Sequence, residues 1–232
     1  METIIRINNQ TAGRDKTARL IQYLSKFAWY TLQKNNSNIV EILKNLEYQL
    51  GTFRKLLRIG RCADVLHSGL ALLRHKDPIV NSVVVYSKIA SSLYLLADHF
   101  LWLGRSEICD VNMTKWAKLS NKAWLYSIIM NIIRDIYELQ KILKLHFLAS
   151  VQNEDIKHIG HVKNLIWHLL AVLYSRKEVT IDIIKNSCDF FLPYTYLGGT
   201  NLSPGTIGIL GTISSVAGLL VLIYPSCKLE NS

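Results

Sequence analysis

Few residues in this 232-residue chain are spaced to do covalent chemistry. His158-Ile159-Gly160-His161 spells the HIGH signature of class I aminoacyl-tRNA synthetases. That motif works inside a nucleotide-binding α/β domain, and no such pattern surrounds it here. The same two histidines, at i and i+3, could hold a metal, but no neighbouring cysteine or carboxylate cluster completes a site. Cys62, Cys109, Cys188 and Cys227 are scattered, with no Cys-x-x-Cys pair, which argues against a zinc site or a disulfide framework. Gly205, Gly208 and Gly211 lack the preceding strand and the following acidic residue of a dinucleotide fingerprint. No Ser/His/Asp or Cys/His arrangement stands out. The expectation is a protein that is not an enzyme and has no metal or cofactor.

The side chains with a physical task are basic. On a helical wheel Arg54, Arg58 and Arg61 share one sector, at i, i+4 and i+7. Leu56, Ile59, Ala63, Leu66 and Leu70 fall on the other side, with Gly60 and His67 among them and Lys55 near the edge. A basic face opposite an aliphatic face suits a helix lying in a membrane interface, its guanidinium groups among phosphates and its aliphatic groups wedged into one leaflet. A surface helix with a solvated charged face is the other reading. The net charge is +10, although half of the residues are apolar. Residues 1–81 hold 13 Lys/Arg against 6 Asp/Glu, and the remainder 14 against 11. A basic half joined to an apolar half points to anionic lipid as partner, each cation gaining roughly 1 kcal/mol near such a surface. Nucleic acid competes for that charge, but no zinc-finger or ribonucleoprotein-type motif supports it.

Such a face must be positioned by helices. No period-2 strands bounded by hairpin turns occur, and the chain reads as all-α. One helix is predicted over Asp15–Gln33 with Asp15 as N-cap, and a second from Asn38 that continues through Phe53–Leu73. Val83–Gly104 is mostly apolar but broken by Lys88, Asp98 and His99. Trp116–Phe147 is amphipathic, Gln152–Asp155 reads as a loop, Val162–Tyr174 as a helix, and Thr180–Leu192 as a helix ending before Pro193. From Phe190 to Cys227 there is no charged side chain. Within that run Thr206–Tyr224 makes about 28 Å of helix, close to the ~30 Å hydrocarbon thickness of a bilayer. Gly211 with Ser215 and Ser214 with Gly218 form small-xxx-small pairs on it, with Gly208 a further small residue, a pattern that lets helices of different copies associate. The start of the chain is polar, without a secretory h-region, so late insertion through the C-terminal span is expected. The expected organisation is a basic amphipathic region over 1–81, a central helical region over 82–192, an uncharged linker over 193–205, a transmembrane helix over 206–225 and a short tail over 226–232. The rival reading is a pore, with Lys88, Asp98 and His99 lining a polar path for small metabolites.

Several blocks together resemble a known family. Gly13-Arg14-Asp15-Lys16 with Leu20-Ile21-Gln22-Tyr23 is similar to its opening, and Phe53–Gly60 to its basic amphipathic segment. Asp98 with Trp102, Gly104 and Arg105, and Ser127–Asn131 with Arg134-Asp135 and Tyr137-Glu138, match its central motifs. Asn186-Ser187-Cys188-Asp189 with Pro193, and the tail from Pro204-Gly205 to Leu222-Ile223-Tyr224-Pro225, complete the likeness. The chain resembles the peroxisomal membrane protein 11 family, peroxins that elongate and proliferate peroxisomes, and looks closest to the animal alpha and beta members. It departs from them in the short loop near Gln152–Gly160, which lacks a glycine-rich insertion, and in the absence of a dilysine ending. The resemblance implies an integral peroxisomal membrane protein with both termini toward the cytosol. It further implies homo-oligomers, membrane remodelling by the amphipathic segment, and recruitment of fission adaptors and a dynamin-type GTPase. The linker Pro193–Gly205 has no Lys or Arg, so the positive-inside tendency places it in the lumen and the basic half in the cytosol.

Overall fold

The computed structural model describes residues 2–34, 37–71, 78–152, 173–227 and 229. The HIGH tetrapeptide and most of the predicted helix Val162–Tyr174 lie outside the described residues. The described residues are helical, with no strand among them: α1 (Glu2–Asn9), α2 (Thr11–Leu32), α3 (Ser37–Leu57), α4 (Arg61–Ala71), α5 (Pro78–Arg105), α6 (Met113–Gln152), α7 (Lys177–Tyr196) and α8 (Pro204–Ile223), closed by a 3-10 turn at Pro225–Cys227.

Local chemistry sets several boundaries. α8 starts at a side-chain cap, the Ser203 hydroxyl accepting the Thr206 N–H at 3.1 Å, with Pro204 at the first helical position, where its missing N–H costs nothing. Asp15 is not a cap: α2 begins a turn earlier, at Thr11, and the Asp15 carboxylate is buried. The predicted continuous helix through Phe53–Leu73 is broken. Gly60 takes a positive φ of 83°, open to glycine without strain, and divides α3 from α4. Pro193 does not end α7, which continues to Tyr196 with the Leu197 N–H closing on the Pro193 carbonyl at 3.0 Å.

Six long helices close a ring. α2 packs on α3, α3 on α5, α5 on α6, α6 on α7, α7 on α8 and α8 back on α2, while α4 lies along α5. The α2–α8 pair is the tightest seam. Gly205 lies against the Tyr30 ring, Gly208 against Phe27, Gly211 against Tyr23 and Gly218 against Lys16, so the two helices run antiparallel over their whole length. At Gly208 an added Cβ would stand 2.8 Å from the Phe27 backbone nitrogen, and only glycine permits that approach. The antiparallel course brings the chain ends together, with Arg6 Nη2 donating to the Ile223 carbonyl at 2.9 Å.

Two helices, over Val80–Arg105 and Pro204–Ile223, are long and apolar enough to cross a membrane. The polarity of the whole bundle agrees with them. Among the described residues sixteen buried side chains are polar or charged, against thirteen buried apolar ones. The outer faces carry Ile21, Leu24 and Phe27 on α2, Ile42, Leu46, Phe53 and Leu56 on α3, and Ile209, Ile213, Val216 and Leu220 on α8. In water a bundle hides its apolar stripes and exposes its charges. Here sixteen polar side chains turn inward and many apolar ones outward, beside exposed charges such as Glu41, Lys44, Lys118 and Lys122, a mixture that suits lipid against part of the surface.

Candidate functional site

The interior of the ring is held by ions. Asp15 on α2 accepts from Arg54 Nε of α3 at 3.0 Å and from Arg58 Nε, in the turn just after α3, at 3.1 Å. Arg58 reaches onward to Asp98 on α5 at 3.2 Å and donates to the Tyr94 hydroxyl. Asp98 is only 1% exposed and is also bound by Lys55 and by the Ser120 hydroxyl at 3.3 Å. Arg54 Nη1 donates to Gln22 at 2.7 Å, and His99 Nε2 donates to the Arg58 carbonyl at 3.0 Å. Three helices are thereby tied through one chain of charges, each carboxylate holding two cations. Alternation of sign is what makes such burial tolerable, since an unpaired ion in a low-dielectric interior costs several kcal/mol.

A second knot joins α2, α6 and α7. Arg19 pairs with Asp189 and lies near the rings of Tyr23, at 5.5 Å, and Trp124, at 5.9 Å. Trp124 stacks on Tyr94 at 5.6 Å between centroids, which links the two knots. On α6, Arg134 binds Asp135 at 2.7 Å and also Asp182 of α7, while Asn186 donates to Asp135 at 2.6 Å. Lys185 also pairs with Asp182. Burial favours the neutral form of Asp182, but Lys185 and Arg134 outweigh it and hold this carboxyl below its usual range. For Asp135 burial prevails, helped by the Asp182 charge, and its pKa is raised despite Arg134.

No solved structure matches the chain significantly. Its sequence matches the family model described as peroxisomal biogenesis factor 11 (PEX11) over residues 1–223. The chain belongs to the PEX11 family. It is 27% identical over 260 residues to the Homo sapiens protein named peroxisomal membrane protein 11B, covering 99% of this chain and all of that one. It is 29% identical over 248 residues to peroxisomal membrane protein 11A of Bos taurus, covering 99% of both chains. To the Dictyostelium discoideum peroxisomal membrane protein 11 homolog it is 27% identical over 234 residues, with 94% and 92% covered. The PEX11 family is one of peroxisomal biogenesis factors and not a known enzyme family.

In this PEX11 chain the two predicted site regions both turn toward the bundle. Arg54 and Arg58, expected among lipid phosphates, are buried in the ion chain, Arg58 with 6% of its surface exposed. Lys55 is bound to Asp98, and Arg61 begins α4, part-exposed, beyond the Gly60 break. The opposite face behaves as the wheel requires: Leu56, Ile59, Ala63, Leu66 and Leu70 are all exposed. Gly208, Gly211, Ser214, Ser215 and Gly218, expected to join copies, are buried within the bundle. The glycines among them face α2 of the same chain. Lys88, Asp98 and His99, the suggested pore lining, are separated in role. Asp98 binds Lys55 of α3, His99 binds the Arg58 carbonyl in the turn after it, and Lys88 packs its stem beside Gly69 of α4. The acidic partners, Asp15, Asp182 and Asp189, were missed as site residues. Their signal was faint, single carboxylates in a chain rich in Lys and Arg, with partners on other helices.

Proposed function

We propose that this chain remodels and elongates the peroxisomal membrane, promoting peroxisome proliferation and fission. The observation that carries the proposal is the exposed apolar stripe that runs from α3 through the Gly60 turn into α4, at Leu56, Ile59, Leu66 and Leu70, with Arg54 and Arg58 on the opposite side bound internally. Such a stripe has no use for water and adds volume to the leaflet it enters. The wedge therefore needs no arginine–phosphate contact at Arg54 or Arg58: the ion chain holds α3 in place, and the aliphatic face meets lipid. Anionic lipid is a partner for the remaining surface cations. Self-association uses the outward face of α8, at Ile209, Ile213, Val216 and Leu220, because the small-residue face is filled by α2. The contact between Arg6 and the end of α8 supports both termini lying on one side, which we assign to the cytosol. Fission adaptors and a dynamin-type GTPase would meet the protein there. In liposomes holding the full chain, wild type is expected to draw tubules visible by electron microscopy. The Leu56→Asp/Ile59→Asp variant is expected to insert without tubulating, and tubulation equal to wild type would sink the wedge.

A pore reading keeps one specific support. Cavities of about 600 Å3 and about 270 Å3 share Arg54, Arg58, Tyr94 and Trp124 as a common wall. The larger reaches Glu47, Arg105 and Tyr196, and the smaller reaches Lys16, beside Gly218 near the far end of α8. Solute flux through purified protein in sealed liposomes separates this reading from the wedge.

A further inference from the structure

The smaller of the two cavities is charged out of balance. Among the described residues its wall holds seven Lys or Arg side chains and two carboxylates, Asp15 and Asp189. Asp15 is taken by Arg54 and Arg58, and Asp189 by Arg19, while Arg58 and Lys185 also pair with Asp98 and Asp182 just beyond the wall. Lys16 and Arg61 line the same wall and make no ion pair with a described residue. Arg19, 6% exposed, is held by Asp189 and adds its charge to the wall from behind. Asn131 adds a neutral donor, since its amide oxygen takes the Ser87 hydroxyl at 2.7 Å and its NH2 group remains.

We infer that this cavity binds a phosphate monoester. A dianion with three acceptor oxygens supplies the missing charge and suits a mixed arginine and lysine wall. About 270 Å3 accommodates the group, against roughly 30 Å3 for a water in the liquid. Its depth suits a headgroup: Lys16 meets α8 at Gly218, five residues or about 8 Å from the helix end at Ile223. Burial, with Arg19 and Lys185 nearby, lowers the Lys16 pKa to about 7, and a bound dianion would restore its charge. The ester is carried either by a lipid or by a soluble metabolite, and both present the same phosphate chemistry.

The test uses the purified full chain in neutral detergent. In one arm phosphatidic acid is titrated against phosphatidylcholine by native mass spectrometry. In the other, phenyl phosphate is titrated by thermal shift, with chloride at equal ionic strength as control. Wild type should bind at least one of the two monoesters and ignore phosphatidylcholine and chloride. Lipid binding without a phenyl phosphate response assigns the headgroup as source, and the converse assigns a soluble ester. Lys16→Gln and Arg61→Gln should each weaken binding about tenfold, the scale of one charge-assisted hydrogen bond. Lys16→Arg should restore it. Both Gln variants remove an uncompensated cation, so their unliganded melting temperature should stay level or rise. Failure of both monoesters to bind wild type, or binding by the folded double variant as tight as wild type, would overturn the site.

Discussion

α8 and α3 make an instructive pair. Each carries a stripe that a reader of the sequence would aim outward, glycine and serine on α8 and arginine on α3. Both stripes turn inward instead and meet α2, α8 through the close approach at Gly208 and α3 through Asp15. The faces left outside are the aliphatic ones, Ile209, Ile213, Val216 and Leu220 on α8, and Ile42, Leu46, Phe53 and Leu56 on α3. The two helices differ in what holds them. α8 is held by shape, with small residues giving the Tyr23 and Tyr30 rings room. α3 is held by charge, with almost no room for error in pairing. Lipid explains why both arrangements coexist: hydrocarbon does not drive helices together, so close packing and internal polar contacts must do it.

The sharpest way to break the contrast is to remove the charge that α3 depends on. Asp15→Ala leaves Arg54 without a carboxylate while Arg58 keeps Asp98, and an uncompensated buried ion costs about 3–5 kcal/mol. Thermal unfolding of the full chain in detergent should show the largest loss among these variants. A loss under about 1 kcal/mol would mean that Arg54 finds another partner and that α3 is not held by charge.

The shape-held seam should give less. Gly208→Leu forces α2 away from α8, at the roughly 1–3 kcal/mol typical of overpacking. Its melting temperature should fall while crosslinking between copies persists until the fold is lost. The opposite pattern, an unchanged melting temperature with crosslinks abolished, would return the glycine stripe to the interface between copies. The smallest effect belongs to a pair outside the ring. Arg176 and Glu178, 3.3 Å apart with Arg176 more than half exposed, should contribute less than about 0.5 kcal/mol when Arg176→Ala is compared by the same melt.

Much of this architecture was legible in the residues. The charge-free run from Phe190 to Cys227 located α8, and all-helical periodicity located most of the ring. The wheel through Arg54, Arg58, Leu56 and Ile59 separated the two sides that the structure buries and exposes at the end of α3 and in the turn after it. What periodicity could not supply was the sign of that division. Opposed apolar and polar stripes define an axis across the helix, and which stripe meets protein depends on whether water or lipid lies beyond. The clue was distributed: Asp15, Asp98 and Asp189 sit on three helices far apart in sequence, and their pairing with arginine appears only when the ring closes. Gly60 hid its break for another reason. A single glycine in a helical stretch is tolerated at a cost of about 1 kcal/mol, so it does not by itself mark an end.

The central claim is that the bundle carries its charges inside and its aliphatic faces in lipid. Spin labels placed singly at Ile42, Leu46 and Leu56, in full-length protein with Cys62, Cys109, Cys188 and Cys227 replaced by serine and reconstituted in bilayers, test it most directly. Collisions with oxygen, which concentrates in hydrocarbon, should broaden all three signals, and a water-soluble nickel chelate should leave them nearly unaffected. Access to the nickel chelate at all three positions, with little response to oxygen, would place the α3 face in water and contradict the account.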